Sequence, residues 1–168
     1  MKVLYIHGLH SNPNPAKIKI LEEAGLEVVA PFIDYEKEQG EVYPRLKALA
    51  IAEEVELFIG SSMGGFMAYW LAYDLNKATL LYNPALYFKS MKPFIPKIES
   101  DSIPSLYVCL GEKDQTVNPQ YVKEFLIQRN PTQNKLKVVS LSYLEHGIDL
   151  MTFKSRTAWF LKEIECLN

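Results

Sequence analysis

Short apolar runs and longer stretches of helical period alternate along the whole chain. Residues 3–7, 27–33, 55–60, 78–82, 105–110 and 136–141 read as strands, being rich in Val, Ile, Leu, Phe and Tyr and bounded by turn residues. Between most of them lie segments whose apolar residues recur at three- and four-residue spacing. Strands that take turns with helices build a mostly parallel central sheet, here of about six strands, with helices on both faces. The expected class is α/β. No internal repeat, heptad array or low-complexity tract competes with it.

Punctuation residues sharpen the element boundaries. Asn14 is placed to cap a helix over 15–24, with Pro15 at its first position and Gly25 at its end. Pro31 lies inside the second strand and requires an edge position or the strand's end, because proline donates no ladder hydrogen bond. Val42, Leu46, Leu49 and Ala50 mark a helix, and residues 63–74 mark another that is apolar on nearly every side, including Phe66, Met67, Trp70 and Leu71. Asn118 and Pro119 open a helix carrying Val122, Phe125 and Leu126 on one face, with Pro131 beyond its end. Leu150, Phe153, Thr157, Phe160, Leu161 and Ile164 form the stripe of a closing helix. The proline-bearing stretch 84–104 lacks a strong period and is a candidate short lid. A chain of 168 residues suits one domain spanning 1–168.

The stretch FIGSSMGGF, residues 58–66, crowds Gly60, Ser61, Ser62, Met63, Gly64 and Gly65 between a strand and a helix. Gly60, Ser62 and Gly64 match G-x-S-x-G in the strand-turn-helix setting that a nucleophile corner requires. The plain reading is a tight turn between two buried elements. The chemical reading puts Ser62 at the centre of the corner, with its hydroxyl held at the carboxyl end of the strand. The helix that follows aims its N–H groups and dipole at the reacting centre, and the Met63 amide is a candidate oxyanion donor.

A serine hydroxyl needs a base, and the chain holds three histidines. His7 and His10 flank the end of the first strand, whereas His146 follows the last strand in YLEHGIDL. In chains with this corner the order is serine, acid, histidine, which selects His146. The acid then falls between residues 62 and 146. Asp114, in GEKDQTVNP after the fifth strand, is the leading candidate; Glu112 and Asp101 compete with it, and an aspartate in a turn commonly serves the turn itself. After the first strand, HGLHSNP offers Gly8 and the Leu9 amide as the second oxyanion donor. His7 is expected to order that loop or to satisfy a local hydrogen bond; His10 lines the pocket or is solvated.

HGLHSNP, GSSMGG, YNPA in residues 82–85, GEKD and the late EHG together resemble the small YqiA-type esterases (UPF0227-like) of the α/β-hydrolase superfamily. The likeness spans nearly the whole chain, although Met63 stands where leucine is common. It implies an α/β-hydrolase fold and a serine esterase using Ser62, Asp114 and His146; the cap is expected to be reduced, because the segment between Asn83 and Asp114 is shorter than is usual in that group. Leu9 and Met63 would supply the oxyanion amides, with Gly8, Gly60, Gly64 and His7 supporting the elbow and loop. The short segment between Asn83 and Asp114 predicts an open pocket suited to short acyl chains.

Three other functions meet the same residues. Peptide or amide hydrolysis uses the same triad, and a binding protein on a hydrolase scaffold keeps the fold without turnover. A nucleotide site fits poorly, because GSSMGG lacks the P-loop lysine and the G-x-G-x-x-G spacing. Eighteen basic and twenty acidic residues give a formal charge of −2, so no global positive field recruits nucleic acid or an anionic membrane. At 48% hydrophobic and 23% charged, the chain matches globular proteins and not disordered ones. Cys109 and Cys166 lack paired metal or redox spacing and are expected as free thiols. No metal or cofactor is expected, and the partner is a small acyl ester. The start KVLYIHG lacks a secretory h-region, and no apolar run reaches the roughly 20 residues that cross a bilayer, so a cytoplasmic location is expected.

Overall fold

A computed structural model describes residues 1–87, 95, 97–98, 103–130 and 133–166. Its strands are β1 (Lys2–Ile6), β2 (Glu27–Val29), β3 (Leu57–Ser61), β4 (Ala78–Tyr82), β5 (Leu106–Gly111) and β6 (Leu136–Leu141). They form one sheet in the order β2-β1-β3-β4-β5-β6, and every pairing is parallel. The helices are α1 (Pro15–Glu23), α2 (Tyr35–Glu38), α3 (Val42–Ala52), α4 (Met63–Leu75), α5 (Pro119–Arg129) and α6 (Leu150–Glu165). Much of the expected 84–104 lid lies outside the described residues.

Side chains that alternate along each strand divide the core in two. Leu4, Ile6, Phe58, Leu81 and Val108 join α3, α4 and α5 on one face through Leu46, Met67, Leu71 and Leu126. Val3, Tyr5, Ile59, Leu80 and Cys109 join α1 and α6 on the other through Leu21, Phe153 and Phe160. Both faces are covered, which is why the central strands read as nearly continuous apolar runs. Each fully buried large side chain contributes roughly 1.5–3 kcal/mol relative to its exposed state.

Helix starts follow their caps. Asn14 Oδ1 accepts the Ala16 and Lys17 amides, Asn118 Oδ1 accepts the Gln120 amide, and Asp149 accepts both the amide and the hydroxyl of Thr152. Gly25, at φ +81°, follows the end of α1.

Several expectations need correction. β2 ends at Val29 instead of reaching Ile33: it lies at the edge of the sheet with β1 as its one partner, and Pro31 has no amide proton with which to extend the ladder. The Ile33 amide then leaves the ladder and donates to His7. The short helix α2 went unforeseen: its YEKE sequence has no apolar period, and it is held by the Asp34 cap and the buried Tyr35. Leu150 does not belong to the buried stripe of α6. It stands at the helix start, 45% exposed, and the stripe runs through Phe153, Thr157, Phe160 and Ile164.

Candidate active site

The order of the strands locates a crevice before any side chain is considered. From β1 the chain moves through α1 to β2 on one side, and through α2 and α3 it returns to β3 on the other. Connections leaving neighbouring strands in opposite directions open a gap at the carboxyl edge of the sheet. Gly8 follows β1 and Ser62 follows β3 at that gap.

Ser62 sits at φ 54°, ψ −119°, a conformation that costs a non-glycine residue on the order of 1–3 kcal/mol. Its neighbours hold it there. The Ser62 amide donates to the Tyr82 carbonyl at 3.0 Å, and its own carbonyl accepts from Phe66 N and Ala85 N, each at 3.0 Å. The corner also needs close backbone contact: a Cβ on Gly60 would stand 2.4 Å from the Gly64 carbonyl oxygen. Ser61 ends β3, and its carbonyl faces Gly8.

His146 Nε2 lies 2.9 Å from Ser62 Oγ, and His146 Nδ1 lies 2.7 Å from Asp114 Oδ2. The Asp114 carboxylate is fully covered, while the imidazole keeps 27% of its surface open. Asp114 Oδ1 accepts the Thr116 and Val117 amides at 2.8 Å each. Asp114 is thus both a turn residue and the partner of the histidine, one oxygen for each task. With an acceptor-only carboxylate at Nδ1, that nitrogen carries the proton, and Nε2 presents a lone pair to the serine hydroxyl. Glu112 instead points to solvent at the mouth, and Asp101 lies outside the described residues.

The loop after β1 is fastened by His7. Its Nε2 accepts the Ile33 amide at 3.0 Å, so Nδ1 holds the proton and donates to the Gly8 carbonyl at 2.8 Å. The Tyr35 hydroxyl donates to the His7 carbonyl at 2.7 Å. Burial pushes the His7 pKa below the ordinary histidine value, against the Gly8 carbonyl that favours the proton. A Cβ on Gly8 would approach Ser62 Cβ to 3.2 Å, which puts this loop directly against the serine. Met63 is the first residue of α4, and helix geometry provides no intrahelical acceptor for its N–H. Leu9 lies half-buried beside a concavity of 260 Å³ that His10, Phe32 and Glu36 also line. His10 is exposed and meets Glu36 Oε1 at 2.8 Å, so it both edges the hollow and stays in solvent.

A second concavity, of 440 Å³, opens beside Asp114 and His146 and is lined by Glu112, Lys113, Gln115, Thr116 and Glu145. Among the described residues no group of three or more His, Cys, Asp or Glu is arranged to hold a metal ion, and Cys109 and Cys166 are free thiols. No helix among them is long and apolar enough to cross a membrane.

Sequence reasoning gave no role in the site to Asn83. It follows β4 at φ 41°, its side chain buried at the centre of the same edge. The asparagine-proline pair after a strand was its only signal, since asparagine tolerates positive φ.

A six-stranded parallel sheet with this strand order and covering helices defines the α/β-hydrolase fold, and solved structures share it. The Pyrococcus furiosus esterase Pf2001 is similar over 96% of this chain and 82% of its own, with a TM-score of 0.75 and 20% identity. Esterase PE8 aligns over 97% and 92%, with a TM-score of 0.73 and 19% identity. A Xanthomonas campestris pv. campestris protein, provisionally assigned to hydrolases of the alpha/beta superfamily, aligns over 96% and 97%, with a TM-score of 0.71 and 17% identity. At such identities the likeness shows the fold. Within it, the chain belongs to the family described as Uncharacterised protein family (UPF0227), whose model matches residues 2–146. No curated protein matches it significantly.

Proposed function

We propose that the protein is a serine hydrolase that cleaves carboxylic esters of short acyl chains, or thioesters, through an acyl-enzyme on Ser62. The carrying observation is the unbroken hydrogen-bonded series from Asp114 through His146 to Ser62 Oγ. Esterases among the proteins of the same fold support the reaction class.

In this reading Ser62 Oγ attacks the ester carbonyl while His146 Nε2 takes its proton. The carbonyl becomes an oxyanion, received by the amides of Leu9 and Met63, and Asp114 stabilises the imidazolium without taking its proton. Collapse expels the alcohol or thiol, protonated by His146. Water then repeats the sequence on the acyl-enzyme, yielding the carboxylic acid and free Ser62. The imidazole keeps 27% of its surface open, and the two hollows at this edge, of 440 and 260 Å³ and lined largely by polar side chains, suit a small substrate. Preorganised donors and a positioned base need no external group for these steps.

Replacement Ser62→Ala tests the reading with p-nitrophenyl acetate. Turnover is expected to vanish while the melting temperature stays nearly constant or rises, because the strained corner remains and only a hydroxyl is lost. Undiminished turnover in that variant overturns the assignment.

A further inference from the structure

The corner that follows β4, residues 83–85, touches the segments that carry Ser62 and His146 and the end of the strand that leads to Asp114. Ala85 N donates to the Ser62 carbonyl, and Pro84 packs where a Cβ on Gly65 would stand 2.9 Å from its own Cβ. Asn83 reaches the other two parts. Its Nδ2 donates to the Glu145 carbonyl at 2.9 Å and to the His146 carbonyl at 3.0 Å, while its Oδ1 accepts the Gly111 amide at 2.7 Å. Its own amide donates to the Cys109 carbonyl at 2.9 Å.

Gly111 ends β5, three residues before Asp114, and the loop carrying His146 rests directly on it: a Cβ there would meet the Leu144 and Glu145 carbonyls at 2.5 and 2.6 Å. β4 has ended at Tyr82, so the Gly111 amide has no ladder partner on that side although β6 still pairs with Gly111 on the other, and residues 144–146 lie beyond β6; these polar groups need partners from elsewhere. One primary amide supplies two donors and one acceptor in the required directions. A carboxylate of the same shape supplies no donor, and an aliphatic side chain supplies nothing. The residue is 1% exposed, so water does not substitute for it freely.

We propose that Asn83 is a positioning residue, whose buried amide locks the backbone of the His146 loop to the end of the strand leading to Asp114. Resting on the reading of His146 as the base, this lock keeps the imidazole within reach of Asp114 and Ser62 together. Release of the two carbonyls lets the loop drift, and a displacement near 1 Å at a reacting group costs on the order of 100-fold in rate.

Two variants test it. Asn83→Asp keeps size and the acceptor for Gly111 but removes both donors; Asn83→Ser retains a smaller donor and acceptor and guards against misfolding of the first. With p-nitrophenyl acetate, Asn83→Asp is expected to lose roughly 10- to 100-fold in kcat with KM held within about threefold. The 2.7 Å contact of His146 Nδ1 with Asp114 predicts a deshielded Nδ1 proton in the parent's NMR spectrum, and in Asn83→Asp that signal is expected to weaken or vanish while the amide spectrum of the sheet persists. Wild-type kcat in a folded variant overturns the proposal. So does a loss shared equally by kcat, KM and melting temperature with the Nδ1 proton intact, which describes a purely structural residue. Should Ser62→Ala retain full activity beside these variants, the esterase reading fails instead, and the NMR signal alone then judges whether Asn83 holds the loop.

Discussion

The Ile6 carbonyl oxygen occupies the space in which a Gly64 side chain would begin: a Cβ there would stand 2.1 Å from it, and 2.4 Å from the His7 carbonyl oxygen. The first turn of α4 is thereby pressed onto the end of β1, which sets the distance between Ser62 and the loop carrying Gly8 and Leu9.

Gly64→Ala is therefore expected to do more than a surface helix substitution, which would stabilise the helix. The opposing atoms are backbone, and no rotamer change removes them. Separation of α4 from β1 is expected to cost about 3 kcal/mol or more, at the upper end for overpacking, and, on the proposed function, to reduce turnover of p-nitrophenyl acetate further by moving the corner. Urea midpoints with an unchanged m value measure the first effect, and kcat/KM the second. A variant as stable and active as the parent contradicts the close contact.

For Asp114→Asn the geometry predicts which way the new amide points. Oδ1 already accepts two backbone N–H groups, from Thr116 and Val117, so the asparagine oxygen stays there and its NH₂ faces His146. A donor at that position forces the proton of the imidazole to Nε2, where it can no longer take the serine proton. A loss of kcat on the order of 10³- to 10⁴-fold is expected, with KM little changed. Steady-state kinetics on p-nitrophenyl acetate decide it; a loss under tenfold would mean that the aspartate does not set the tautomer.

His7 makes stability depend on pH. Its folded pKa lies below the ordinary histidine value of 6.5, so on acidification the unfolded chain binds the proton first. Stability is expected to be full above that value, to fall as pH drops below it, and to level once pH passes below the folded pKa. The Ile33 amide makes the direction concrete, since a protonated Nε2 cannot accept it. Urea midpoints at several pH values should show a shallower acid-side fall for His7→Asn than for the parent. Identical slopes would remove His7 as the cause.

The fold was legible to the extent that local pattern equals burial. β4 and β6 lie where the apolar runs place them, and the starts of α1 and α5 lie where Asn14 and Asn118 cap them. The pattern failed where tertiary partners replace local ones. Ile33 looked like a strand residue because it is apolar, but its amide belongs to His7; α2 shows no period because its anchor is the single side chain of Tyr35. Leu150 satisfies helical spacing and nonetheless faces solvent, since a helix's first residue projects beyond the surface that covers the next turns.

At the site, the sequence by itself determined the residue types and their order: a serine between glycines at a strand-to-helix corner, an aspartate after β5 and a histidine after β6. It could not distinguish the turn role of Asp114 from a partnership with histidine, because an Asx turn is visible in a short window and a contact across 32 residues is not. Only the tertiary structure decided that the carboxylate does both. The same holds for Asn83, whose neighbours at 111, 145 and 146 are assembled by sheet order, and for the contact of Gly64 with Ile6, which exists because β1 and β3 are neighbours in space. Chemistry is carried by residue identity, but reach is set by which strands lie side by side.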